Sequence, residues 1–266
     1  MTDPVADHLE HLCGVGYSLS TLTARAAVLA TIPDLLSMDR AATQAWWATR
    51  QTRLDGQPRA KTSLSSEKAH AAEFWRWAMQ QGLIERNPAD WLGKIRTAHT
   101  MAVVVPEGDL HRVMADADPS MHRMIALAAM AGLRSAEIAV VRWTDIDRAN
   151  GVLWVRAGKG GKDRSVPLSA GLLAELGDPG EGPVIGRVMS AKAVSTAIGR
   201  HLRARGSDFT AHKLRARYAT RFLAATGDAI ATAKVLGHAD LSSVMRYAVA
   251  SSDTMRRGAE AAGRIG

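Results

Sequence analysis

The chain has 266 residues, 47% of them hydrophobic, and a formal net charge of +8, enough for a sizeable core in one or two domains. Its one cysteine, Cys13, excludes an internal disulfide and a cysteine-built zinc site. No uncharged apolar run reaches the ~18 residues that a spanning helix needs, and MTDPVADHLE at the N-terminus lacks the basic and apolar regions of a secretory signal, so the cytoplasm of a bacterial cell is the expected compartment.

In chain order, residues 18–92 read as helical. Trp46 and Trp47 lie in one apolar segment and Phe74, Trp75 and Trp77 in another. Tryptophans so placed are core residues more often than platforms for stacked bases. Ser65, Ser66 and Glu67 form a helix-start cluster, and GLIERNP at 82–88 stops that helix, with Gly82 near its end and Pro88 just beyond. Residues 1–92 therefore make a first, helical domain. Residues 93–106 form a linker that carries Lys94 and Arg96, holds no acid and closes on Pro106.

Helical pattern resumes at Glu107 and runs through the largely apolar MHRMIALAAMAGL. The period then changes from helical to alternating. VLWVR at 152–156 and DRSVPLS at 163–169 read as strands joined by a glycine-rich turn, and four or five helices follow. The expected class is mainly α with a small β-hairpin in the C-terminal half, and residues 107–266 form the second domain. Charge is uneven: residues 1–96 carry 11 Lys+Arg against 10 Asp+Glu, whereas residues 97–266 carry 23 against 16. The basic excess favours a polyanion partner such as DNA.

Four signals lie in that basic half. In AGLRSAE, Arg134 and Glu137 stand three apart and share a helix face, which alone is an ordinary surface ion pair; Gly132 and the apolar run before it place Arg134 at the start of a new helix beside a buried element. In AHKLRARY, His212 and Arg215 share a face behind Thr210 as N-cap, so backbone N–H groups point toward any nearby anion. A basic helix of this kind, with Lys213, Arg217 and Arg221, is usually a solvated face. In LGHADLSSVMRY, His238 and Tyr247 are nine apart, out of phase on one helix, but Gly237 and Asp240 read as a stop and a restart that let them meet from consecutive helices. The fourth, AGKGGKDR, holds Lys159. It is no nucleotide P-loop, because Arg156 stands where glycine belongs and Asp163 where Ser or Thr belongs.

Together these residues supply a nucleophile, cations for non-bridging oxygens and a proton donor for a leaving alkoxide, which is what splitting a phosphodiester without a metal requires. No cofactor and no metal are expected.

In order and spacing, Arg134, Lys159, His212/Arg215, His238 and Tyr247, with Glu137 three after the first arginine, resemble the tyrosine recombinase (phage integrase) family. AGLRSAEIAVVRWTDID, GKGGKDRSVPL and LGHADLSSVMRY also look like that family's wording, and the 1–92 region resembles its core-type DNA-binding domain more loosely. Lys213 departs from the acidic or polar residue that often follows the histidine, and no arm-type domain is expected before the core-binding region, as in a compact integrase or a Xer-like enzyme.

The resemblance implies a two-domain clamp on double-stranded DNA: a helical core-binding domain and an α+β catalytic domain. It implies Tyr247 as nucleophile, Arg134 and Arg215 on the scissile phosphate and Lys159 as acid at the 5′-oxygen. It further implies His212 as base, His238 as hydrogen-bond donor, Glu137 as an orienting group and a 3′-phosphotyrosyl intermediate. Lys94, Arg96, Lys162, Arg164 and Lys213 are expected to meet DNA. A homotetramer on DNA, with residues 251–266 acting between protomers, and a directionality factor are implied partners; integration of a viral genome is the implied context. Alternatives are Xer-like resolution of chromosomes or plasmids, a type IB topoisomerase, a DNA-binding regulator with a decayed site, and a basic DNA-packaging protein.

Overall fold

Buried apolar residues gather in two separate clusters, and the chain divides with them into two units, residues 1–98 and 99–266. The computed structural model describes residues 3–96, 105–156, 163–237 and 244.

The first unit holds four helices among the described residues: α1 (Pro4–Gly14), α2 (Leu19–Leu29), α3 (Arg40–Arg50) and α4 (Lys61–Gln80), followed by a 3₁₀ turn at Pro88–Trp91. Helix begins well before residue 18. Asp3 caps α1 by accepting from the Val5 N–H at 2.9 Å, and Pro4 takes the first helical position, where its missing N–H costs nothing. Ser18 and Asp39 cap α2 and α3 in the same way. Helix α4 starts at Lys61, so Ser65 and Ser66 lie inside it rather than at its start. No side chain caps it; its early turns are held instead by Arg50 and Arg59, which both grip Glu67.

Trp46 and Trp75 are core residues, packed with Leu29, Phe74 and Ala78. Their indole N–H groups are satisfied, Trp75 Nε1 donating to Leu35 O at 2.9 Å and Trp46 Nε1 to Thr31 Oγ1 at 3.2 Å. Trp47 and Trp77 are half-buried against the same cluster.

The second unit is built on α6 (Pro119–Met130), whose Met124, Ile125, Leu127 and Ala128 are fully buried. Around it lie α5 (Glu107–Ala115), α7 (Ser135–Val140), α8 (Ala170–Leu176), α9 (Ala191–Ala204), α10 (Ala211–Thr226) and α11 (Ala229–Leu236). Val105, assigned to the linker from sequence, is buried in this unit's core, and Pro106 caps α5. The sheet has three antiparallel strands in order, β1 (Ile146–Asp147), β2 (Val152–Val155) and β3 (Arg164–Pro167). The two-residue β1 is too short to carry a period and escaped the sequence pattern.

The β2–β3 register pairs Leu153 with Val166 and Val155 with Arg164. Side chains alternate across a strand, so Arg164 shares the inward face of Val166 while Ser165 and Trp154 face out. Among the described residues no helix is long and apolar enough to cross a membrane.

Candidate functional site

The site begins with a chain reversal after α6. Gly132 takes φ of 65°, and a Cβ there would collide with the Tyr218 ring, so the turn requires glycine. The reversal sets Arg134 as the N-cap of α7, and Glu137, in the first turn, reaches back to accept the Arg134 N–H at 2.7 Å. Glu137 Oε1 also accepts from Arg134 Nη1 at 3.0 Å.

Two further guanidiniums close on this carboxylate. Arg164, from β3, donates Nη1 to Oε1 at 2.7 Å and Nη2 to Oε2 at 2.9 Å, a two-pronged grip. Arg215, from α10, stands 3.7 Å from Oε2. One carboxylate against three guanidiniums leaves a formal charge of +2 in a largely buried place. Burial, the largest influence on the Glu137 carboxyl, pushes its pKa up; the hydrogen bonds from Arg164 and Arg134 and their charges outweigh it and hold the group below the usual carboxylate range.

Each of the three arginines also donates to one place. Arg164 Nε donates to Val235 O at 2.9 Å, Arg215 Nη2 to Leu236 O at 2.6 Å, and Arg134 Nη2 to Gly237 O at 2.9 Å. These successive carbonyls end α11, where the helix leaves acceptors without intrahelical partners and its dipole favours positive charge. Gly237, at φ of 63°, stops the helix, and a Cβ there would press on the Arg164 side chain. Arg215 Nη1 also donates to Gly132 O, tying α10 to the reversal. The arginines of α6–α7, β3 and α10 thus converge on the turn that leads into His238.

His212 lies exposed in the first turn of α10 behind the cap Thr210, whose side chain accepts the Lys213 N–H at 3.3 Å. Lys213 is half-buried, with its ammonium over the Phe209 ring at 5.4 Å. Lys94 and Arg96 are exposed in the first unit.

Two expectations need correction. Arg164 does not face solvent: its side chain is 9% exposed and committed to Glu137 and Val235, because the strand register turns it inward. Helix α10 is not a solvated basic face, since Arg215 and Arg217 are buried and Arg217 pairs with Glu107 at 2.7 Å. Arg134 and Arg215 themselves differ in exposure, with side chains 27% and 4% exposed. Lys159, Lys162, His238 and Tyr247 lie outside the described residues.

Tyr218, three residues after Arg215, lies beside this cluster. Burial pushes its phenol up to about 12 against a partial offset from Arg164, and its ring packs over Gly132. It is a packing residue, poorly suited to attack. Among the described residues no three His, Cys, Asp or Glu gather as a metal-binding group.

The sequence pattern of the phage integrase family matches residues 105–178 and 184–253. Similar curated proteins include tyrosine recombinase XerC of Chromobacterium violaceum, 27% identical over 276 residues covering 93% of this chain and 90% of that protein. Tyrosine recombinase XerD of Ralstonia nicotianae is 28% identical over 209 residues, covering 69% and 67%. Among solved structures, a lambda integrase dimer bound to a COC′ core site superposes with a TM-score of 0.73 at 18% identity, covering 92% of this chain and 93% of that one. The Tn1549 transposon integrase in complex with transposon right end DNA gives 0.76 at 16% identity, covering 98% of each chain. These structural likenesses are of fold. The family pattern spans more than half of the sequence and takes in the segments that carry Arg134 and Arg215, and on that ground the chain belongs to the phage integrase family, the tyrosine recombinases, enzymes that break and rejoin DNA at specific sites.

Proposed function

We propose that this chain recombines duplex DNA with Tyr247 as nucleophile. The observation that carries the reading is the convergence of Arg134 and Arg215 on one carboxylate and on the end of α11, directly before His238. Phosphoryl transfer is mainly positioning and charge neutralisation. Arg134 and Arg215 hold the non-bridging oxygens of the scissile phosphate, their guanidiniums fixed in advance of the reaction. The Tyr247 oxygen forms a bond to phosphorus and the bond to the 5′-oxygen breaks. A free phenol has a pKa of about 10, so it needs a proton acceptor, and His212 takes that role. Lys159 protonates the departing 5′-oxygen, and His238 donates to the phosphate. A 3′-phosphotyrosyl link and a free 5′-hydroxyl result, and attack by a 5′-hydroxyl from another duplex reverses the step. Side chains supply the positive charge, so no divalent cation is assigned to it.

Lys94, Arg96, Lys162 and Lys213 meet phosphates, and the two units close on the duplex as a clamp. The working assembly is a homotetramer in a bacterial cytoplasm, with residues 251–266 linking protomers and a directionality factor biasing the outcome. Integration of a mobile or viral genome is the preferred context. The second reading, Xer-like resolution of chromosomes or plasmids, is favoured by the XerC and XerD relatives.

The test is covalent trapping. A randomised library of nicked duplexes is incubated with the chain, and DNA that stays attached through denaturation is recovered. Tyr247→Phe should bind duplex normally and trap nothing; an adduct with that variant would show that the nucleophile lies elsewhere.

A further inference from the structure

The arginine that sequence places among the DNA contacts has a different task. We infer that Arg164 is a positioning residue, which saturates Glu137 so that Arg134 and Arg215 keep their donors for the end of α11 and for the scissile phosphate. The inference rests on the reading of Arg134 and Arg215 as the phosphate-holding pair.

The argument is one of competition for a single carboxylate. Glu137 has two oxygens, and Arg164 takes a bond to each, at 2.7 and 2.9 Å. Arg134 makes one side-chain bond to the same group at 3.0 Å, and Arg215 stays 3.7 Å away. A carboxylate and a guanidinium prefer a parallel two-bond geometry. Without Arg164, Glu137 would draw Arg215 or Arg134 into that geometry and away from the carbonyls of Leu236 and Gly237. The net positive charge of the cluster would also fall by one. Arg164 further pins Val235 O at 2.9 Å, so it fixes α11 against the same carboxylate that orients the other two arginines. Its own side chain is 9% exposed, which leaves it no phosphate to meet.

The experiment uses a duplex captured by the unaltered full chain, prepared with each of the two phosphorothioate diastereomers at the scissile phosphate. Arg164→Lys keeps the charge but cannot make the two-pronged grip; Arg164→Met keeps the length and loses the charge. Both should lower single-turnover cleavage tenfold or more and change the rate ratio between the diastereomers, because the arginines address the two non-bridging oxygens unequally once released. Affinity for a random-sequence duplex should keep its salt dependence. A slope of log K against log salt shallower by about 0.9 would mark Arg164 as a phosphate contact and overturn the inference. An unaltered cleavage rate would also overturn it. So would a loss equal for both diastereomers, which is the mark of general destabilisation. Should both variants fail to fold, Glu137→Gln, which weakens the same grip, must change the diastereomer ratio, and an unchanged ratio there overturns the inference. If the unaltered chain captures no duplex at all, the recombinase reading fails first, a result distinct from any of these.

Discussion

Among the described residues each unit of this protein buries one glutamate among arginines, and the two clusters differ in where the arginines' other donors go. In the first unit Glu67 accepts from Arg50 at 3.1 and 3.2 Å and from Arg59 at 2.5 and 2.9 Å. The remaining Arg59 bond returns to Arg50 O, so the network closes on the loop between α3 and α4. In the second unit each arginine around Glu137 also donates to one of three successive carbonyls at the end of α11. The same chemistry serves to staple a loop in one case and to align cations at the end of α11 in the other. A buried ion pair is therefore weak evidence of function by itself; the destination of the other donors is what separates the two.

The largest test of this contrast is truncation. Arg215→Ala or Arg134→Ala should slow single-turnover cleavage by about 10²–10³-fold, the cost of losing one preorganised charge at a developing anion. Arg59→Ala should leave cleavage per folded molecule unchanged and lower stability by about 2 kcal/mol, the scale of a charged hydrogen bond. A comparable rate loss from Arg59→Ala, by quenched-flow measurement, would erase the distinction.

A pH effect should belong to the first unit. His8 is fully buried between Phe74 and Trp77, beside Arg25, and burial, with the charges of Arg25 and His11, lowers its pKa from 6.5 to about 4. The folded value lies below the unfolded one, so the unfolded chain binds the extra proton. Stability is complete above pH 6.5 and falls by about 3 kcal/mol as pH drops toward 4. The carboxylates Glu67 and Glu137, both held below their ordinary 4.5, lose their contribution only at lower pH. Five of the seven tryptophans lie in the first unit, so indole fluorescence reads it selectively. His8→Leu should flatten the unfolding midpoint between pH 6.5 and 4; an unchanged slope would assign the effect to another group.

Two glycines sharpen the comparison further. Gly132 and Gly82 both have positive φ, but only at Gly132 does a Cβ meet neighbours. Gly82→Ala should cost about 1 kcal/mol from backbone conformation alone. Gly132→Ala should cost about 2 kcal/mol or more and slow cleavage as well, since the carbonyl there holds Arg215. Equal unfolding shifts would mean that the Tyr218 ring yields freely.

The smallest effect is expected at the exposed cations of the first unit. Lys94→Ala or Arg96→Ala should each make the slope of log K against log salt shallower by about 0.9, whereas Arg59→Ala should leave it alone. Fluorescence anisotropy with a random-sequence duplex from low to moderate salt would measure this, and parallel slopes for all three would remove both residues from the interface.

Much of the fold was legible because its cues are local. The tryptophan segments, the stop at Gly82, the cap Thr210 and the stop at Gly237 each need only a few neighbours to be read. Helix α1 also carried a local cue, Asp3 before Pro4, which the helical reading from residue 18 passed over. Arg164 could have been placed as well: Val166 and Leu168 alternate with it in DRSVPLS, so a strand there turns all three to the same side.

By itself the sequence determined the pairing of Arg134 with Glu137, because a helix-capping residue and the third residue of its helix meet in a capping box, and it put His212 and Arg215 in the first turns of one helix. The order of the motifs likewise determined the family. Tertiary structure alone decided that Arg164 grips Glu137 from 27 residues away and that Arg215 reaches Leu236 across 21. It also decided that one carboxylate would be shared among three arginines. Those contacts depend on how a strand, two helices and a reversal pack around α6, and no local period in the chain encodes which donors meet which acceptors once they are buried together.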